Sequence, residues 1–353
     1  MAKQQKQQFL ITIALVAILC MCQQSWCQEQ HVEPHHGTGS HVKRHPHKVH
    51  YTVCPDEAIL KPCLCRRSII TCDEEMDFKL AAIVDAISAM ANNDSTVSVK
   101  LFARLDIAFS TETDLPDNAF KEIVADGIWI MAAPNLKTIA PNAFQGTDNL
   151  TRSLDLRNCP QLDTAGLFDI INKFVQLNRL SLMNINLETI PGQAFKSLDR
   201  LIGLHIADAK LKSIGDKAFV GLPALRQLNL MDTQLSLIGK DMLAFSLNYD
   251  QKMNVLLKNN PLLNGSTFDP EALVQLGRPT LLALIAVDHN PRQFKVLAEQ
   301  VFKPFLMSNA GNQLIMSSNG YLCPDKRNEW LVKDRKLNRR LFYDQPYKHT
   351  VQC

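Results

Sequence analysis

The chain reads as an α/β solenoid in which short parallel strands line a concave face and irregular or short-helical segments cover the convex side. Three observations predict this. Pairs of aliphatic residues one position apart recur through most of the length. Their second members, Ile130, Leu156, Leu182, Ile206, Leu230, Leu257, Val287 and Met316, are separated by 26, 26, 24, 24, 27, 30 and 29 residues. An Ala-Phe segment follows several pairs at a near-constant offset, and four cysteines stand immediately before the array. A unit this short cannot bury its own apolar face, so neighbours must stack into one continuous core. With 353 residues and 46% hydrophobic content, the chain is long enough for one elongated array or two compact domains. The periodicity selects the array.

In chain order, residues 1–27 read as a secretory signal: Lys3 and Lys6 lead an apolar stretch from Phe9 to Cys22, followed by Ser25-Trp-Cys27 with small residues at the cleavage positions. The apolar run is about 14 residues, short of the ~20 that a spanning helix needs, and no apolar tail at the far end suggests a lipid anchor. The expectation is a secreted, extracellular product with no membrane span. Lys3 and Lys6 supply two of the net +3 charges. The remainder is nearly neutral, which does not suggest a nucleic acid partner.

Residues 28–53 hold His31, His35, His36, His41, His45, His47 and His50 among Pro34, Gly37, Gly39 and Pro46. No apolar periodicity is present, so a disordered arm is expected. Weak zinc or copper binding, or a charge that rises below a pH of about 6.5, is the functional alternative. Irregular spacing imposes no coordination geometry, and no metal or cofactor is assigned. Lys43-Arg44 is a candidate processing pair.

Residues 54–75 carry Cys54, Cys63, Cys65 and Cys72, and a small cross-linked hairpin there would shield the first repeat from water. Four cysteines allow three pairings. An oxidising compartment favours disulfides over a zinc site.

Residues 76–318 hold the repeats. Leu180-Ser-Leu182-Met-Asn-Ile-Asn-Leu187, Leu204-His-Ile206-Ala-Asp-Ala-Lys-Leu211 and Leu228-Asn-Leu230-Met-Asp-Thr-Gln-Leu235 share one pattern. Alternation puts Leu180 and Leu182 on one face of a strand while Ser181 points out. Leu115-Pro-Asp-Asn-Ala-Phe120, Ala140-Pro-Asn-Ala-Phe144, Ile190-Pro-Gly-Gln-Ala-Phe195 and Ile214-Gly-Asp-Lys-Ala-Phe219 form the second pattern, in which a small Ala and a large Phe fill the convex side of the core. Before Ile130, both Val97–Leu101 and Leu105–Ile107 are candidate strands. Residues 319–353 close the chain, with Cys323 and Cys353 and an excess of Lys and Arg; a solvated end is the plain reading, and a weak contact with polysaccharide the alternative.

These patterns resemble the leucine-rich repeat of extracellular proteins, with a horseshoe of parallel concave strands and cysteine caps at both ends. The resemblance implies Cys54–Cys65 and Cys63–Cys72 pairs, a reduced C-terminal cap with Cys323–Cys353, in which Asp325 stands at a usual cysteine position, and a hydrogen-bonded ladder at Asn260, Asn290 and Asn319. Cys159 and Thr233 are accepted ladder substitutes; Ile185 and Ala209 depart from the pattern. Cys159 is expected to be structural and free. The segment from Cys54 to Cys65 also looks like the arthropod group named after the non-catalytic subunit of a secreted shrimp luciferase. That likeness implies a non-enzymatic extracellular partner protein, one that stabilises another secreted protein.

No nucleophile elbow, zinc-binding helix, phosphate loop or dinucleotide fingerprint occurs. His205 with Asp208 and His289 with Asp288 have no nucleophile at fixed spacing, so no catalytic residue is assigned. Binding is expected on the concave face, at Trp129, Met131, Asp155, Arg157, Ser181, Met183, His205, Asp208, Asn229, Met231, Asp232, Lys258, Asp288 and His289. Eight strands at about 4.8 Å spacing give a face about 40 Å long, enough for about 800 Å² per partner. Trp, Met and Arg are favoured at interface centres. Sequons at Asn93, Asn149 and Asn264 are candidate glycosylation sites.

Overall fold

The computed structural model describes residues 51–73, 78–90, 100–108, 111–248, 250–274, 276–287, 292–316, 322 and 325–343. The expected signal at 1–27, residues 28–50 of the His-rich arm, Asn93, Asp288, His289, Asn290, Asn319, Cys323 and Cys353 lie outside the described residues.

The strands are β1 (Leu64–Arg66), β2 (Ile69–Cys72), β3 (Lys100–Ile107), β4 (Asp114–Leu115), β5 (Ile123–Met131), β6 (Thr138–Ile139), β7 (Ser153–Cys159), β8 (Arg179–Ile185), β9 (Thr189–Ile190), β10 (Gly203–Ala207), β11 (Ser213–Ile214), β12 (Gln227–Met231), β13 (Met253–Lys258), β14 (Thr280–Ile285), β15 (Gln313–Met316) and β16 (Leu341–Tyr343). Twelve of them form one sheet in the order β1-β2-β3-β5-β7-β8-β10-β12-β13-β14-β15-β16. Only the β1–β2 hairpin in it is antiparallel. Such an order, with each coil beside the next in sequence, is that of a solenoid.

Ile130, Leu156, Leu182, Ile206, Leu230 and Leu257 stand opposite one another across neighbouring strands, each 1% exposed or less. The row continues through Leu284 to Met316. Val287 is therefore not the marker of its coil, and the expected register there is corrected to Leu282 and Leu284. The cause is a strand that is buried on both sides: all six residues of Thr280–Ile285 are enclosed, and alternation carries no register where both faces are apolar. At the start of the array, Ile107 pairs with Ile130 within the single strand β3, so Leu105–Ile107 is the first inward pair.

Away from the long sheet, β4 pairs with β6 and β9 with β11. Behind them the phenylalanines stack from coil to coil. Phe120 and Phe144 have ring centroids 5.5 Å apart, Phe144 and Phe174 5.2 Å, Phe195 and Phe219 6.0 Å, and Phe219 and Phe245 6.0 Å. Aromatic pairs at this range add to the free energy of burial. Ala119, Ala143, Ala194, Ala218 and Ala244 precede all of these rings but Phe174, and each is buried.

At the N-terminal end, Cys54–Cys65 and Cys63–Cys72 are disulfide-bonded, with S–S distances of 2.04 and 2.05 Å. The second bond holds β2, which pairs in parallel with β3 and so covers an edge that would leave unpaired amides. At the other end β16 adds to β15. Within the stack, Cys159 is free and buried, and its Sγ donates to the Arg157 carbonyl at 3.4 Å. Asn260 and Thr233 bond to each other, whereas Ile185 and Ala209 are simply buried.

Candidate functional site

Strand alternation sends every second residue away from the core. Register places Asp106, Trp129, Asp155, Ser181, His205, Asn229, Leu256, Ala283 and Ile315 in one row across the sheet. Two residues further along each strand, Met131, Arg157, Met183, Ala207, Met231, Lys258 and Ile285 form a second row. Of the expected site residues, Trp129, Met131, Asp155, Arg157, Ser181, Met183, His205, Asn229, Met231 and Lys258 thus share this face.

Asp208 and Asp232 do not lie on it as expected. β10 ends at Ala207 and β12 at Met231, and each aspartate follows in a left-handed turn, with φ of 51° and 50°. The face position belongs to Ala207. Asp and Asn tolerate this conformation better than most residues, and Asn158, Asn184 and Asn259 occupy the equivalent positions with φ of 56°, 47° and 54°. Burial, with Asp232 adding, raises the pKa of Asp208.

The two ends of the face differ in character. Toward the N-terminus, Arg104 binds Asp106 through Nε to Oδ1 at 2.6 Å and Nη2 to Oδ2 at 2.8 Å, and its guanidinium lies 3.8 Å from the Trp129 ring centroid. Gly127 makes room for it, since a Cβ there would sit 3.1 Å from Arg104 Cγ. Stacking of this kind is attractive and fixes the indole before any partner arrives. One strand on, Arg157 Nη2 donates to Asp155 Oδ2 at 2.6 Å. Burial raises the pKa of Asp155; Arg157 opposes the shift, as does the neighbouring Ser181 hydroxyl, although its geometry falls short of a full hydrogen bond. His205 is pushed down to about 4 by burial, with Arg157 adding.

Toward the C-terminus the face turns apolar. Ala207, Met231, Leu256, Leu281, Ala283, Ile285 and Ile315 form a second cluster, separate from the core, with Met183 and Phe342 packed against it. Sequence reasoning named Met231 but missed Arg104, Asp106 and the other residues of this cluster. The signal available for the last group was the uninterrupted apolar run Leu281–Val287, too long for a strand that shows one face to water.

Asn149 and Asn264 are exposed and lie outside the strands. Among the described residues, no helix is long and apolar enough to cross a membrane, and no group of three or more His, Cys, Asp or Glu is placed to hold a metal ion.

Residues 175–235, the stretch containing β8, β10 and β12, match the leucine rich repeat family model. Comparison with curated proteins gives no match. Leucine-rich repeats commonly mediate protein–protein binding and are typically non-catalytic scaffolds.

Proposed function

We propose that this leucine-rich repeat chain is a secreted, non-catalytic scaffold that binds a partner protein on its concave face. The observation that carries the reading is the pre-set indole of Trp129, held by Arg104 and flanked in register by Met131 and Asp155. Rigid aromatic groups beside arginine and methionine are what interface centres use, because little side-chain entropy remains to be lost on docking.

The likeness to the luciferase-subunit group supports a narrower version, in which the partner is itself a secreted enzyme and the repeat chain stabilises it. Glycans at Asn149 and Asn264 would leave the strand face open. The test is to express the chain with its leader, collect the medium, and identify neighbours by proximity labelling. Each purified candidate is then titrated against the native chain and a Trp129→Ala/Met131→Ala/Met183→Ala variant. Loss of at least tenfold in affinity, about 1.4 kcal/mol, is expected for the genuine partner. If every candidate binds the variant as tightly as the native chain, the concave reading is wrong.

A further inference from the structure

Before β16 the chain forms two short helices, Glu329–Val332 and Arg335–Asn338. From Asp325 to Arg340 this segment holds seven Lys or Arg against three carboxylates, and each carboxylate is already engaged. Asp325 pairs with Arg327 at 2.8 Å and Glu329 with Lys333 at 2.8 Å. Asp334 caps the second helix, accepting from the Lys336 and Leu337 amides at 2.8 and 3.2 Å. Arg340 is held internally, donating to the Leu306 and Asn309 carbonyls. That leaves Arg335, Lys336 and Arg339, whose side chains are exposed and make no hydrogen bond or ion pair among the described residues. Spacing brings the three together. Helical residues three and four positions apart are neighbours, with Cβ atoms about 5–6 Å apart, and Arg339 keeps right-handed helical angles at the end of the turn, so it stands beside both Arg335 and Lys336. The turn is anchored from beneath by Leu337, which is 4% exposed, and by Asn338, whose Nδ2 donates to the Val332 carbonyl at 3.0 Å.

A single small anion gains little from exposed cations, because each pair is screened by salt and must hold down a long side chain. Anions strung on one polymer behave differently. Once the first is engaged the others arrive at high effective concentration, and each contact releases condensed counterions. The segment also lacks what other acidic partners need. Leu331 and Leu337 are buried, and Trp330 and Val332 pack against the core, so no apolar side chain is offered to a lipid interface or to the centre of a protein interface. We propose that Arg335, Lys336 and Arg339 form a docking site for a sulfated polysaccharide, separate from the concave face. The two guanidinium groups take sulfate oxygens in forked pairs, and Lys336 takes a third anionic group as a point charge. The strand face stays free for a partner protein.

The test measures binding of the full-length chain to immobilised heparin across a sodium chloride series. Arg335→Gln/Lys336→Gln/Arg339→Gln is compared with Arg67→Gln/Arg200→Gln/Lys217→Gln, which removes the same charge from scattered exposed positions. For the native chain the logarithm of the affinity should fall with the logarithm of salt at a slope of about −2, as three released contacts require. The first variant should weaken at least tenfold at physiological salt with a shallower slope, and the second should bind as the native chain does. No native binding at physiological salt, or equal losses in the two variants, overturns the site. Binding to phosphatidylserine vesicles or duplex DNA that matches heparin and disappears in the first variant assigns the turn to another polyanion and overturns the proposal. Heparin binding abolished by Trp129→Ala/Met131→Ala/Met183→Ala puts the polysaccharide on the concave face and overturns it as well. Because the three side chains bind nothing else in the fold, the first variant should melt with the native chain. Added heparin should then raise the native Tm and leave the variant's unchanged, and an equal rise in both rejects the site.

Discussion

Asn260 closes onto Thr233 across two coils of the stack. Its Oδ1 accepts from the Thr233 amide at 3.0 Å and from the Thr233 hydroxyl at 2.6 Å, while its Nδ2 donates to the Leu230 carbonyl at 3.0 Å. All of this is enclosed, with Asn260 and Thr233 each 2% exposed. Asn260→Ala opens these groups with no water to replace it, and a loss of about 2–3 kcal/mol is expected. Urea unfolding would show it as a lower midpoint at unchanged slope. A midpoint within error of the native chain would mean that the coil does not depend on this bond.

Arg278 is a buried cation whose hydrogen bonds go largely to backbone carbonyls. Its Nη1 donates to Leu225 at 2.6 Å, and its Nε and Nη2 both donate to Ser246 at 3.0 and 2.7 Å. It is 3% exposed and bridges chain segments more than thirty residues apart. Arg278→Met keeps the length but leaves these carbonyls open, and about 3 kcal/mol or more should be lost. Arg278→Lys should recover only part of it, since an ammonium cannot reproduce the planar fork. Equal stability of Lys and Arg would contradict the role given to the fork.

Backbones approach each other most closely at Gly265, where a Cβ would sit 1.7 Å from the Val296 carbonyl oxygen. No side chain fits without moving a coil, so Gly265→Ala should destabilise by several kcal/mol, on the order of the larger single-site effects. Gly203 is the control, because a Cβ there meets nothing within 4 Å. Gly203→Ala should be neutral or slightly stabilising through the unfolded state. Comparable losses in both would remove the explanation by close approach.

His205 titrates in the unfolded chain near 6.5 and in the folded chain only near 4. The stability that comes from keeping the imidazole neutral is fully present above 6.5 and is lost as pH falls toward 4, by at most about 1.4 kcal/mol per pH unit. Asp155, whose pKa burial raises, acts in the opposite sense, because its folded carboxyl holds a proton more tightly than the unfolded one. His205→Asn should therefore flatten the loss between pH 6.5 and 4 and leave the gain from Asp155. Denaturant midpoints across that range test it; an unchanged acid slope in the variant would show that His205 is not the group responsible.

The repeat, its inward aliphatic pairs and the Ala-Phe segment were all legible in the chain, because each reflects a local rule. A strand with one wet face must alternate, and a unit of some two dozen residues must hand its apolar side to a neighbour. The rule stopped working where its premise did. At β14, Leu281, Ala283 and Ile285 are buried along with Leu282 and Leu284, so alternation no longer told inside from outside and Val287 was a false marker. At β10 and β12 the count ran one residue too far, placing Asp208 and Asp232 on the face when the chain had already turned.

Sequence by itself therefore determined the stacking, the repeat class and most of the residues that share the strand face. Tertiary structure decided how those residues are used: that Arg104 is closed against Asp106 and laid on Trp129, that Arg157 bonds Asp155 through one nitrogen, and that Arg278 reaches carbonyls two coils away. The reason is one of distance. Alternation is set by adjacent residues, whereas these contacts join side chains that only the winding of successive coils brings within hydrogen-bonding reach.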